Sequence, residues 1–189
     1  MNKILALAVI AAACSTTVFA QKTGTLYGEA AYSMVTFNDT SQDGIGTLKP
    51  TAGRFTLGTV VMDNVAVEGF LQQGLSDSTK AFKTEANVKL EMKSGYGFAV
   101  RPFLNLSNET ELFGRIGSMR QEAAFKATSI SNGTVLANET NKSTNTLYGA
   151  GIAYKISDDM KAVVDYTKLN KKDNVELSIV SIGLRYNFK

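Results

Sequence analysis

The side chains that could perform chemistry in this chain are carboxylates and guanidinium groups, because its 189 residues include no histidine and a single cysteine. Without imidazole, a serine nucleophile lacks its usual general base, and zinc and haem lose a common ligand. One cysteine cannot form a disulfide framework or a cysteine-based zinc site. We therefore expect no catalytic site, no metal site and no bound cofactor.

Seven ionisable side chains alternate with apolar residues and so share one face of the extended segments that carry them. They are Glu29, Arg54, Glu68, Arg101, Arg115, Asp165 and Arg185. Acids and bases on one face can meet across a narrow interior if the chain curls that face inward. We expect these residues to form a charge network in a lumen, where small Gly and Ala positions leave room for the arginines. Which acid pairs with which base stays open.

Strands must position this network. After residue 20 no apolar run exceeds three letters, and apolar residues recur with period two between clusters of Gly, Asn, Asp and Ser. The pattern predicts eight strands, near residues 23–37, 52–62, 65–77, 88–106, 111–126, 146–156, 160–169 and 175–188. Tight turns at 63–64, 107–110 and 157–159 alternate with longer polar stretches at 38–51, 78–87 and 127–145, and a shorter one at 170–174. This alternation is typical of an all-β fold, the eight-stranded antiparallel up-and-down transmembrane β-barrel.

The direction of the apolar face separates a membrane barrel from a soluble one. In the last strand, Ile182 and Leu184 lie on one face, whereas Arg185 lies on the other among small residues. A soluble barrel would bury the seven charges and expose rows of Tyr, Phe and Leu to water, which is unfavourable on both counts. A charge facing lipid at the membrane centre would cost about 2–4 kcal/mol. We therefore expect the apolar face to contact lipid. Pro102 lies inside a predicted strand of this closed barrel, so we expect a bulge or a local loss of pairing there.

The first twenty residues are typical of a secretory signal peptide. Lys3 precedes an apolar run from Ile4 to Cys14, and a short stretch then leads to Ala20. This run is too short for a spanning helix, which needs ~20 residues. Lipidation of Cys14 is the alternative interpretation. We expect cleavage after Ala20, which gives a signal peptide at residues 1–20 and a barrel domain at residues 21–189.

The mature chain resembles the small eight-stranded outer-membrane barrels of Gram-negative bacteria, of the opacity-protein and outer-membrane-protein A/X type. The resemblance is carried by residues 94–103, 111–117, 148–154 and 181–188. It implies an outer-membrane location and insertion by the barrel assembly machinery. It also implies that Leu184, Tyr186 and Phe188 form the assembly signal, although Lys189 follows the usual terminal aromatic residue.

The function predicted from these features is that of a non-enzymatic outer-membrane barrel with a plugged polar lumen. Its loops at 38–51 and 127–145 would serve envelope stability or adhesion to a surface partner, unless they are only solvated connections. A narrow porin-like channel for ions or small solutes is the alternative. Barrel enzymes of similar size depend on a histidine, which argues against that class. The formal charge of +3 gives no reason to expect nucleic acid binding. We expect contact with outer-membrane lipids and a monomeric state.

Overall fold

The computed structural model of the protein describes residues 23–39, 41, 45–82, 86–172 and 175–188. The expected signal peptide at residues 1–20 lies outside these described residues. Within them the chain forms ten strands: β1 (Leu26–Asp39), β2 (Gly46–Leu48), β3 (Thr51–Met62), β4 (Val65–Ser76), β5 (Ser78–Phe82), β6 (Ala86–Asn105), β7 (Thr110–Ser129), β8 (Val135–Lys155), β9 (Met160–Lys172) and β10 (Val175–Asn187). No helix in this part of the chain is long and apolar enough to cross a bilayer.

The eight long strands close into a barrel, which confirms the predicted all-β antiparallel fold. Neighbours along the sheet follow the order β10-β9-β8-β7-β6-β4-β3-β1, and β1 pairs back onto β10. This seam is antiparallel and runs from Tyr27 opposite Asn187 to Asp39 opposite Val175. The short strands are additions at one end, where β2 pairs with β1 and β5 pairs with β6.

Short turns mark one end of the barrel, which we call the turn end; the opposite end is the loop end. The β3–β4 turn contains Asn64 with φ of 62°, a left-handed conformation that Asn tolerates better than most residues. In the β6–β7 turn, the Ser107 hydroxyl accepts hydrogen bonds from the backbone N–H groups of Glu109 and Thr110. Short turns at one end and longer connections at the other are characteristic of bacterial membrane barrels.

The stretch 127–145 is not the loop that the sequence predicts. β7 continues to Ser129 and β8 begins at Val135, so the two strands form a long hairpin with a tip at residues 130–134. Ser129 closes the tip by bonding with Gly133 and Thr134. The prediction was wrong because residues 135–142 of β8 are exposed on both faces, so this strand lacks the apolar period that reveals a half-buried strand. The predicted loops at 38–51 and 78–87 likewise contain strand: the end of β1 with β2, and β5 with the start of β6.

The barrel wall alternates between a buried inner face and an exposed outer face. Arg101 and Arg185 are fully buried, whereas Phe98 is 66% exposed and Ile182 is 60% exposed. The exposed apolar side chains cover the outside of β1, β3, β4 and β6 to β10. The arrangement is the reverse of a soluble barrel and matches a polar interior within an apolar coat.

Pro102 interrupts pairing without changing the register of the strand. The β6–β7 ladder keeps one register on both sides of it but passes from Val100 opposite Ile116 directly to Phe103 opposite Phe113. On the other side Pro102 still lies opposite Val65 of β4. A proline has no N–H to donate, so the loss of pairing falls on the β7 side only.

Inside the barrel, apolar residues form two clusters. The cluster towards the loop end contains Val35, Phe70, Met92, Ala99, Met119, Leu147, Leu169 and Ile179. The cluster towards the turn end contains Tyr27, Val60, Ala66, Phe103, Phe113, Ala153 and Val163. The Tyr27 ring covers Gly58, its direct partner across the β1–β3 ladder, so closely that a Cβ on Gly58 would overlap it.

Replacing Gly58 with Ala should destabilise the barrel by about 1–3 kcal/mol, because the added methyl group displaces the buried Tyr27 ring. Gly69→Ala is the matched control, since Gly69 faces outward with no heavy atom near its Cβ position. Urea unfolding in detergent micelles, followed by the loss of heat-modifiable migration on a gel, measures the difference. Equal midpoints for the two variants would contradict the assigned position of Tyr27.

Candidate functional site

The structure places all seven of the predicted charged residues inside the barrel. Seven different strands supply them: β1 (Glu29), β3 (Arg54), β4 (Glu68), β6 (Arg101), β7 (Arg115), β9 (Asp165) and β10 (Arg185). None is more than 7% exposed. Successive side chains of a strand point to opposite faces, so each of these residues occupies an inward-facing position of its strand.

Glu29 lies between three arginines. Its carboxylate is 3.2 Å from Arg54, 3.4 Å from Arg115 and 2.8 Å from Arg185. Arg54 and Arg185 lie on β3 and β10, the strands on either side of β1, whereas Arg115 lies on β7, across the lumen. Charge-assisted hydrogen bonds of this kind compensate the removal of both ions from water.

Glu68 and Asp165 continue the network around Arg115. The Arg115 guanidinium donates to Glu68 at 2.6 Å and lies 3.2 Å from Asp165. Asp165 also accepts a hydrogen bond from Arg54, and Glu68 accepts one from the Tyr27 hydroxyl at 2.8 Å. Arg115 therefore contacts three carboxylates, counting Glu29, and is the most connected base of the group.

Two further charged residues belong to the network and were missed by the sequence analysis. Glu111 is 1% exposed and accepts hydrogen bonds from Arg101, from Arg185 at 3.1 Å and from Lys161 at 2.6 Å. Glu111 shares the parity of Arg115 in β7, and Lys161 shares the parity of Asp165 in β9. The alternation pattern therefore placed both residues on the inward face. Both lie next to predicted tight turns, however, where that face is hard to define from sequence.

Aromatic rings also contact the guanidinium groups of Arg101 and Arg185. The Arg101 guanidinium carbon lies 4.0 Å from the centroid of the Phe113 ring, and that of Arg185 lies 4.5 Å from the Tyr27 ring. Both arginines have buried guanidinium nitrogens that make no hydrogen bond. Cation–π contact with a ring face offsets part of the cost of burying these donors.

Little open space remains around this network. A void lined by Arg54, Phe70, Arg115, Met119 and other residues has a volume of about 10 Å³. That is roughly the space for one water molecule. Among the residues that the structure describes, no three His, Cys, Asp or Glu side chains are arranged to hold a metal ion.

The residues predicted as the assembly signal lie on the outside of the barrel at the turn end. Leu184, Tyr186 and Phe188 are each between 44% and 49% exposed. The Tyr186 and Phe188 rings meet edge to face with centroids 5.4 Å apart. The Phe188 N–H donates to the Leu26 carbonyl, which ties the end of the chain to its first strand.

At the loop end, the β7–β8 hairpin (residues 120–145) has the start of β6 along its β7 side, up to Ala86 opposite Ser129. The ladder between β8 and β9 begins at Leu147 opposite Leu169, so within the described residues 135–146 pair with β7 alone. This leaves a free strand edge of unpaired backbone donors and acceptors. Surface ion pairs accompany it, including Lys142 with Glu122 at 3.2 Å.

Between β4 and β5, a hydrogen bond from Lys89 lowers the pKa of Asp77.

Replacing Arg101 with Ala should destabilise the barrel by about 3–5 kcal/mol, because it removes a fully buried cation that pairs with both Glu68 and Glu111 and leaves these carboxylates less compensated. Arg120→Ala is the control, since Arg120 lies in β7 with an exposed side chain. Thermal unfolding followed by heat-modifiability on a gel measures the effect. If Arg101→Ala melts together with Arg120→Ala, the network does not contribute to stability.

Comparison with known proteins places this architecture in a family. Residues 5–188 match the family model of the outer membrane protein beta-barrel domain. No curated protein sequence matches the chain.

Solved structures share the fold at low sequence identity. Ail, the attachment invasion locus protein of Yersinia pestis, is 18% identical with a TM-score of 0.61, covering 88% of this chain and all of that one. Neisserial surface protein A is 13% identical with a TM-score of 0.58, covering 86% and 97%. OprG from Pseudomonas aeruginosa is 12% identical with a TM-score of 0.57, covering 89% and 97%. The family match spans nearly the whole chain, and the chain therefore belongs to the outer-membrane β-barrel family of Gram-negative bacteria.

Proposed function

We propose that this protein is a non-enzymatic outer-membrane barrel with a plugged lumen, which holds the β7–β8 hairpin at the cell surface for adhesion or partner binding. Its rigid wall also contributes to envelope stability. The observation that carries the proposal is the combination of a filled interior with a long hairpin beyond the membrane. Among the described residues, the void beside the charge network has a volume of only about 10 Å³, whereas the hairpin offers an accessible surface.

The filled lumen favours this role over a narrow porin-like channel. An ion crossing the barrel would have to pass the paired charges around Arg115 and then the apolar cluster that contains Phe70, Met119 and Leu147. The void between these layers measures only about 10 Å³. Barrels of eight strands have interiors just wide enough for side chains to fill.

The β7–β8 hairpin is suited to binding through its backbone. Residues 135–142 of β8 are exposed, and their edge away from β7 is unpaired in the described chain. An extended segment of a partner can add to such an edge through main-chain hydrogen bonds. Glu139 and Lys142 are the charged residues of the stretch 127–145, so the side chains around this edge are mainly Thr, Asn and Ser. This chemistry favours a partner recognised by shape and hydrogen bonding.

A related barrel supports the idea of a surface ligand. Ail of Yersinia pestis has also been solved in complex with the heparin analogue sucrose octasulfate, at 17% identity and a TM-score of 0.58. That ligand belongs to Ail. For this chain we propose a surface partner at the β7–β8 hairpin and, second, at the predicted loop region 38–51.

Export and assembly complete the proposal. The signal peptide at residues 1–20 directs the chain across the inner membrane, and the barrel assembly machinery recognises Leu184, Tyr186 and Phe188. The assembled protein acts as a monomer in contact with outer-membrane lipids. The side chains of Leu184, Tyr186 and Phe188 face outward, which is consistent with recognition of this strand from outside the barrel.

The purified protein should give no stable conductance steps in a planar lipid bilayer, because the lumen is filled by ion pairs and apolar side chains. A large porin reconstituted in the same bilayer is the positive control. Reproducible, charge-selective steps from this protein would support the channel alternative and contradict the plugged lumen.

Shortening the β7–β8 hairpin should abolish adhesion while leaving the barrel intact. Replacing residues 125–139 with Asn-Gly closes the hairpin on the existing pair of Ala124 and Thr140 with a favoured turn. Attachment of Gram-negative bacteria displaying this variant to a cultured epithelial monolayer should fall to the level of bacteria without the protein.

The matched control shortens the other hairpin at the loop end. Replacing residues 83–85 with Asn-Gly closes β5 and β6 on the pair of Phe82 and Ala86 and keeps every β6 residue that pairs with β7. This variant should attach as the unchanged protein does. Full attachment by a heat-modifiable barrel with the shortened β7–β8 hairpin would overturn its assignment as the binding surface.

A further inference from the structure

The outer wall of the barrel contains a groove over β1, β3, β4 and β6. It has a volume of about 780 Å³. Its apolar walls include Tyr32, Phe55, Leu71, Leu75 and Tyr96. These side chains belong to the exposed outer face, between 46% and 63% accessible.

The groove exists because small residues interrupt the apolar coat at one level of the wall. Gly53 lies between Tyr32 of β1 and Gln73 of β4 in the ladder, and Gln73 lies opposite Ser94 of β6. A Cβ on Gly53 would meet only the Leu75 side chain, at 3.7 Å or more. The backbone at Gly53 therefore forms an open floor, with aromatic and leucine side chains as its walls.

The position of the groove determines what can fill it. The surrounding outer face is the apolar coat that the barrel presents to lipid, so the hydrocarbon chain of a membrane lipid contacts this surface. The ~9–11 residues that a transmembrane strand needs, counted from Asn105 at the end of β6, reach the neighbourhood of Ser94. This places the polar side of the groove near the outer-leaflet interface.

Gln73 and Ser94 are the polar side chains that could distinguish one lipid linkage from another in this groove. Both are exposed side chains on the lipid-facing wall, and they are direct neighbours across the β4–β6 ladder. Polar groups facing hydrocarbon are unfavourable unless they are hydrogen-bonded. A carboxamide and a hydroxyl together offer donors and acceptors to a ligand that carries both, which an amide does and an ester, lacking an N–H, does not.

We propose that this groove is a lipid site that binds an amide-linked acyl chain of an outer-leaflet glycolipid. The chain lies over Gly53 between Tyr32, Phe55 and Leu71, and its amide bonds with Gln73 and Ser94. The site is separate from the proposed surface-binding function, which depends on the β7–β8 hairpin.

Native mass spectrometry of the refolded, delipidated protein, titrated with purified lipid A, tests the proposal. The unchanged protein should retain one lipid A molecule. Gly53→Leu fills the floor of the groove and should weaken retention by about tenfold, a change of about 1.4 kcal/mol. Gly53→Ala should give an intermediate loss. Gly69→Leu is the matched control, because Gly69 also faces outward on this wall with open space around it, and it should retain lipid A as the unchanged protein does.

A second comparison tests the role of the amide. The unchanged protein should prefer lipid A, which has amide-linked chains, over phosphatidylethanolamine, whose chains are ester-linked. Gln73→Leu should remove this preference while still binding acyl chains.

The proposal is overturned if heat-modifiable Gly53→Leu protein retains lipid A as Gly69→Leu does, or if the groove variants change only the proportion of dimer. Attachment of bacteria through the β7–β8 hairpin should be unaffected by Gly53→Leu. The two proposals can therefore fail independently.

Discussion

Closure of the sheet is the constraint on which the rest of this structure depends. In hydrocarbon there is no water to satisfy backbone N–H and C=O groups, so a sheet can cross a membrane only if it has no open edge. The β1–β10 seam removes that edge, and it does so over the full length of β1. Once the sheet is closed, the period of two in each strand divides every side chain between lipid and lumen. The chemistry of the protein then follows from which residues occupy the two faces.

The lumen network shows how a narrow barrel tolerates so many buried ions. Four carboxylates and five cationic groups share the interior, and their bonds join both adjacent strands and strands that are not neighbours in the sheet. The excess positive charge is carried by Lys161, which has 16% of its side chain exposed at the turn end. The fully buried Arg101 and Arg185 instead lie over aromatic rings. The network therefore reaches solvent at Lys161, which still pairs with Glu111, and turns arginine donors without a hydrogen bond towards aromatic faces.

Much of this architecture could be predicted from the sequence because one physical rule governs every wall strand. Parity alone identified the seven interior residues, including Arg54 and Asp165, which lie far apart in the chain. It also identified Leu184 and Tyr186 as outward residues. The alternation of side chains failed as a guide where a strand no longer separates lipid from lumen. Residues 135–142 of β8 meet water on both faces, so Thr140 and Asn141 carry no periodic signal and the free edge of β8 could not be predicted. Glu111 and Lys161 share the parity of Arg115 and Asp165, but they lie beside tight turns, where parity alone does not define the inward face. The groove over Gly53 required the alignment of four strands.

The pairing of the first wall strand with the last also controls the order in which the protein can be made. The Glu29–Arg185 ion pair joins residues 156 positions apart, and the seam itself joins the two ends of the folded domain. No amino-terminal portion of the chain can complete the ladder while synthesis or export is in progress, so folding must wait for β10. Bringing such distant segments together carries a large loop-closure cost and makes folding intrinsically slow. During that interval the exposed apolar coat is prone to aggregation, and the unfinished chain depends on protection until its final strand arrives.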